Sequence, residues 1–166
     1  MTRARNGANR RSGSEWSAPK RGGHRRAQKK EEFISTRNRI EKLGVKPGTD
    51  VLLLGIDDDA AFVKELRDAG AKIRTSGNGP ADMIFAVFRH RDDLRRLPPL
   101  VSRLRPDAVL WTLRPKGSKD LKEAEMMRAG QDAGLVDVKV VSFSDVLTAE
   151  KFVVPVARRH AHPARP

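Results

Sequence analysis

Three short apolar runs separated by turn residues and helix-length polar-apolar stretches limit this chain more than any other feature. They are Val51–Gly55–Ile56, Met83–Phe88 and Ala108–Leu113. Each lacks the alternation of a strand with one face in water, so each reads as a strand covered on both faces. Between them the apolar residues recur at helical spacing. Phe62, Val63 and Leu66 mark a helix over 60–69, opened by a cap at Asp58 or Asp59 and closed by Gly70. A helix from Asp92 or Asp93 to about Arg105 contains Pro98-Pro99, which kinks it or splits it in two. Pro106-Asp107 is expected to turn the chain into the third run. A further helix over Asp120–Ala133 points Leu121, Ala124, Met127 and Ala129 at the core and ends at Gly134.

The remaining pieces complete an alternating order. A helix is expected over 27–43, with Phe33, Ile40 and Leu43 near one face and Gly44 as its stop. Ala71–Thr75 reads as a short strand, followed by the loop Ser76-Gly77-Asn78-Gly79-Pro80. Val136–Phe143 and Lys151–Val156 read as a hairpin across a polar loop at Ser144–Glu150. The order α, β, α, β, β, α, β, α, β, β predicts a mostly parallel sheet built by right-handed crossovers. The closing antiparallel hairpin makes it the Rossmann-like α/β arrangement of class I methyltransferases, in which the final strand is reversed.

The chain also resembles a bacterial family of small methyltransferase-like proteins, domain of unknown function 3052. The matching residues are Leu43-Gly44-Val45-Lys46-Pro47-Gly48 before Val51–Gly55, then Leu110-Trp111, Pro115-Lys116 and Asp120-Leu121. Ala133-Gly134-Leu135-Val136-Asp137-Val138-Lys139-Val140 and Lys151-Phe152-Val153 complete the set, so the resemblance spans about residues 40–155. It implies the methyltransferase-like fold and transfers no catalytic residue. Leu147-Thr148-Ala149-Glu150 replaces a Trp-Ser-Gly-like stretch common in that family, and the loop after Pro115-Lys116 is shorter. Both departures leave the implied fold intact and argue against a ligand shared with that family.

Charge separates the ends from this domain. The net +13 divides into +9 in residues 1–30, zero in 31–42, +1 in 43–156 and +3 in 157–166. Residues 1–28, with Trp16 as the one aromatic, are expected to be a disordered basic tail. Residues 29–156 form the α/β domain, and 157–166 a frayed C-terminal tail. A basic arm of this kind reads first as a solubilising extension, with binding of RNA or DNA backbones without sequence preference as the alternative. The basic start is followed by no apolar run, which is not the pattern of a secretory leader. The longest apolar runs are six residues, against about 20 needed to cross a bilayer. With no Cys there is no disulfide, thiolate metal site or thiol nucleophile, in keeping with a cytoplasmic protein.

Candidate sites follow from the strand ends, where α/β proteins place ligands. A methyltransferase of this class needs a glycine-rich turn after the first strand and an acid at the end of the second, to hold S-adenosylmethionine. Here the turn reads Gly55-Ile56-Asp57-Asp58-Asp59, with one glycine, and the second strand ends Arg74-Thr75-Ser76, with no acid. Gly55 and Asp57 are the residues left to contact such a cofactor, and the site reads as eroded. The three Asp are a conceivable Mg²⁺ set but are better explained as a helix cap and its neighbours. Arg114, Lys116, Ser118 and Lys119, ahead of the helix expected at Asp120, make a candidate anion site. His90 follows the second long strand without an evident partner, Trp111 reads as core, and no residue set is placed for catalysis or for a metal. The sequence therefore predicts a non-catalytic ligand-binding or interaction module, with a divergent methyltransferase and a nucleic-acid-associated protein acting through the basic arm as the alternatives.

Overall fold

The computed structural model describes residues 39–162. The chain divides into a unit of residues 1–42 and a unit of residues 43–166. In the first, Arg39–Lys42 is helical (α1); the remainder of the helix expected over 27–43, the basic tail and the domain boundary at residue 29 lie outside the described residues.

The second unit is a six-stranded sheet in the order β2-β1-β3-β4-β6-β5. Its strands are β1 (Asp50–Leu54), β2 (Lys72–Arg74), β3 (Ala81–Val87), β4 (Leu104–Pro115), β5 (Val136–Ser142) and β6 (Leu147–Val153). β1 pairs in parallel with β2 and β3, and β3 with β4. β6 runs antiparallel to both β4 and β5. The helices are α2 (Ala60–Asp68), α3 (Leu97–Val101) and α4 (Glu123–Asp132). This is the predicted architecture, a mostly parallel sheet closed by an antiparallel hairpin.

Register sorts the core into two layers. Leu52, Ile84, Leu110 and Phe152 align across β1, β3, β4 and β6. They pack with Leu97, Leu100 and Val101 of α3, and with Leu121 and Met126, in one buried cluster. The next residues along the strands serve the opposite face. There Phe85 stacks on Trp111 at 6.4 Å, and Phe62 of α2 meets Phe85 and Phe143 edge-on at 5.0 and 4.8 Å. Edge-on and offset contacts of this kind add to area burial through the ring quadrupoles. Trp111 is a core residue, and its buried Nε1 donates to the Leu43 carbonyl at 3.1 Å.

Several boundaries differ from expectation. The helix expected over 92–105 is two pieces, a 3-10 segment at Arg91–Arg96 and α3 at Leu97–Val101. Pro98-Pro99 occupies the first turn of α3, where a missing N–H removes no helical bond. Pro106-Asp107 is not a turn but lies within β4. The β3–β4 register there jumps from Ala81↔Leu104 to Met83↔Val109, and this irregularity accommodates a residue with no N–H to donate. α4 starts at Glu123 instead of Asp120, and its phase buries Met126 while Ala124 is exposed and Met127 half-buried.

The polar loop expected over 144–150 is short, because Leu147–Glu150 belongs to β6, which ends at Val153 instead of Val156. Residues placed in the C-terminal tail are partly structured. Val156–Ala161 is a 3-10 segment, and His162 Nδ1 lies 2.9 Å from the Leu104 carbonyl oxygen.

Candidate functional site at the carboxyl edge of the sheet

The parallel strands β1, β3 and β4 deliver their C-terminal ends to one edge of the sheet. After β1 the chain turns at Gly55, whose φ of +83° is strained for any side-chain-bearing residue. A Cβ at Gly55 would also come within 3.3 Å of Val87 Cβ on β3. Ile56 is buried, Asp57 and Asp58 are exposed, and Asp59 caps α2 by accepting from the Phe62 N–H at 3.0 Å. One of the three acids is thus the helix cap. Among the described residues no three His, Cys, Asp or Glu side chains are grouped to hold a metal ion.

β2 does not reach this edge. It pairs only with Asp50, Val51 and Leu52, two residues short of the end of β1. Its last residue, Arg74, donates Nε to Asp50 Oδ1 at 3.0 Å and Nη2 to the Pro80 carbonyl at 2.8 Å. A cofactor with a ribose diol needs a carboxylate beside the Gly55 turn and close backbone approach over more than one residue. β2 supplies no acid, the carboxylates beside the turn are the exposed Asp57 and Asp58, and the buried Ile56 side chain follows the glycine directly.

The end of β3 carries the pair that sequence reading left unmatched. Asp93 Oδ2 accepts from the backbone N–H groups of Arg89 and His90 at 2.8 and 3.0 Å, and these bonds hold its carboxyl below the usual carboxylate range. With its backbone fixed this way, His90 places Nδ1 2.7 Å from Asp120 Oδ2, in the loop after β4. Both side chains remain exposed. Arg91 donates to Glu125 of α4 at 2.5 Å, and Arg96 donates to the Val87 carbonyl at 3.0 Å while lying over the Phe88 ring. Asp120 and Glu125 stand 30 and 34 residues from their partners, beyond the reach of any local pattern.

Beyond β4, the four residues of the candidate anion site do not act together. Arg114 is buried on the strand, and its Nε and Nη2 both donate to Glu150 Oε2, at 3.0 and 2.7 Å. Its Nη1 donates to the Leu121 carbonyl at 3.4 Å. Lys116 donates to Ser142 Oγ at 2.7 Å, and Ser118 Oγ accepts from the Leu121 N–H at 3.3 Å. Lys119 is exposed. α4 opens only at Glu123, four residues after Lys119.

Glu150, fully buried on β6, also accepts from Thr112 Oγ1 at 3.1 Å. Burial pushes its carboxyl above the usual range, against the opposing pull of Arg114 and Thr112. The sequence did carry one signal for it. Over Leu147–Glu150, apolar Leu147 and Ala149 alternate with polar Thr148 and Glu150, the period of a strand.

No family model and no curated protein matches the chain. Solved structures do. A SAM-dependent methyltransferase from Aquifex aeolicus superposes with a TM-score of 0.54 at 17% identity, covering 71% of this chain and 89% of that one. The ribosomal protein L11 methylase of Lactobacillus delbrueckii subsp. bulgaricus gives 0.53 at 16% identity, covering 69% and 74%. At these identities the likeness is one of fold. The chain has the methyltransferase-like Rossmann fold.

Proposed function

We propose that this protein is a methyltransferase-like binding module that does not use S-adenosylmethionine, and that it is a divergent relative of the domain of unknown function 3052 family. The observation that carries this reading is the truncation of β2. The strand stops level with Leu52, and its terminal Arg74 is engaged with Asp50 and Pro80. β2 therefore brings no carboxylate of its own toward the turn at Gly55, which supports a site without a ribose-binding acid. Asp57 and the exposed residues after β3 and β4 remain as the polar surface at which a different ligand or partner would dock. Differential scanning fluorimetry of the full chain tests this reading. Neither S-adenosylmethionine nor S-adenosylhomocysteine is expected to raise the melting temperature; a saturable rise with either overturns it.

A second reading, a divergent transferase, rests on the His90–Asp120 pair. Asp120 holds the Nδ1 side of the ring, which leaves Nε2 to accept a proton from a substrate. This reading predicts methyl transfer to some acceptor that is lost in His90→Gln.

A further inference from the structure

The opposite, amino edge of the sheet holds a cluster of three arginines and two aspartates. Arg105 Nη1 lies 3.0 Å from Asp82 Oδ1 and 3.5 Å from Asp50 Oδ2. Arg74 Nε lies 3.0 Å from Asp50 Oδ1. The third guanidinium, Arg103, pairs with no carboxylate among the described residues. Its Nη2 donates instead to the carbonyls of Gly77 and Gly79, in the six-residue connection 75–80 that carries the chain from β2 to β3 without a helix. Arg103 Nε is buried and has no hydrogen-bond partner, and the same holds for Arg105 Nε.

Arg74 converges on the same loop. Its Nη1 would be 3.6 Å from a Cβ on Gly77 and 3.9 Å from one on Gly79. Two guanidiniums are thus drawn together over one glycine-rich turn. Gly77 has a φ of +105°, and residues 75–79, Thr-Ser-Gly-Asn-Gly, are exposed. Burial, reinforced by the charge of Arg74, weakens the hold of Arg103 on its proton. Like charges brought together in a partly dry setting are unfavourable unless an anion offsets them, and guanidiniums are suited by their forked donors to phosphate oxygens.

We propose that Arg74, Arg103 and the 75–79 loop form a binding site for a small phosphate monoester. One oxyanion brings the cluster of three cations and two carboxylates close to balance. The loop contributes the hydroxyls of Thr75 and Ser76 and backbone N–H groups. The site lies at the edge of the sheet away from Gly55 and His90, so it stands or falls independently of the function proposed above.

The test is isothermal titration of the full chain with inorganic phosphate, a nucleoside monophosphate and the matching nucleoside, at constant ionic strength in chloride. Saturable one-to-one binding of both phosphates is expected, with none for the nucleoside. Arg103→Gln should weaken it about tenfold or more, the scale of a lost charge-assisted donor pair. Arg103→Lys keeps the charge and loses the fork, and it too should weaken binding if the glutamine variant does not fold. Lys116→Ala should leave affinity unchanged. No saturable heat with phosphate, or unaltered affinity in a folded Arg103 variant, overturns the proposal. Loss of binding in Lys116→Ala also overturns it and places the anion in the 116–119 loop instead.

Discussion

Replacing Glu150 by Gln preserves the size of the side chain and its hydrogen bond with Thr112 but removes the charge that faces Arg114. The Arg114 side chain is 8% exposed and that of Glu150 is fully buried. After the substitution the guanidinium keeps the Leu121 carbonyl at 3.4 Å, and Glu123, half-exposed, stands 3.9 Å away. An uncompensated buried charge costs about 3–5 kcal/mol, and the nearby Glu123 sets the expectation at the lower end, about 3 kcal/mol. For a domain of this size that is a fall in melting temperature of about 10–15 °C. The double variant Arg114→Met with Glu150→Leu removes both charges together and should recover most of the loss, since a buried pair contributes little net stability over apolar residues of similar volume.

Urea and thermal unfolding followed by circular dichroism measure all three proteins. Lys64→Ala serves as the control, because the Lys64–Asp68 pair is 73% and 62% exposed and should matter by less than about 0.5 kcal/mol. A Glu150→Gln protein no less stable than the Lys64→Ala control refutes the reasoning.

Three further outcomes follow from the same structure. A Cβ on Gly130 of α4 would overlap the buried Phe152 ring, so Gly130→Ala should destabilise the fold by about 1–3 kcal/mol in urea titration, despite the better helix propensity of alanine. Asp93 has a depressed carboxyl, so its contribution is present above the ordinary aspartate pKa and is lost as pH falls through the folded value. Asp93→Asn should flatten the acid limb of a stability–pH curve measured by thermal unfolding. In filter binding, full-length protein should retain RNA and DNA at low salt, and a protein lacking residues 1–30 should not; equal retention by both would dissociate the +9 arm from nucleic acid.

The parts of the fold legible in the sequence were those with a dominant local cause. Val51–Leu54 and Met83–Phe88 are apolar without alternation, and they form central strands. Asp59, Gly70 and Gly134 act through backbone chemistry at helix ends. Where two local signals compete, the local pattern misleads. Pro106 reads as a turn, yet it is absorbed by a register jump that depends on β3. Glu150 reads as loop because its charge is visible in the sequence and its partner, 36 residues away, is not. The same blindness applies at the candidate site. Arg114 reads as part of an anion site and is a buried half of an ion pair, whereas His90 reads as solitary and is paired with Asp120. Pairings of this kind are set by strand order, which no window of sequence contains. The missing glycines after Gly55 and the missing acid after Arg74 were legible because they are local. The structure adds that β2 ends level with Leu52, two residues short of the end of β1.

Isothermal titration of the full chain with S-adenosylmethionine measures whether the turn at Gly55 holds that cofactor. No saturable heat is expected in the micromolar range. A dissociation constant in or below that range, weakened by substitution of Asp57, would contradict this expectation and make the His90–Asp120 pair the centre of an active transferase.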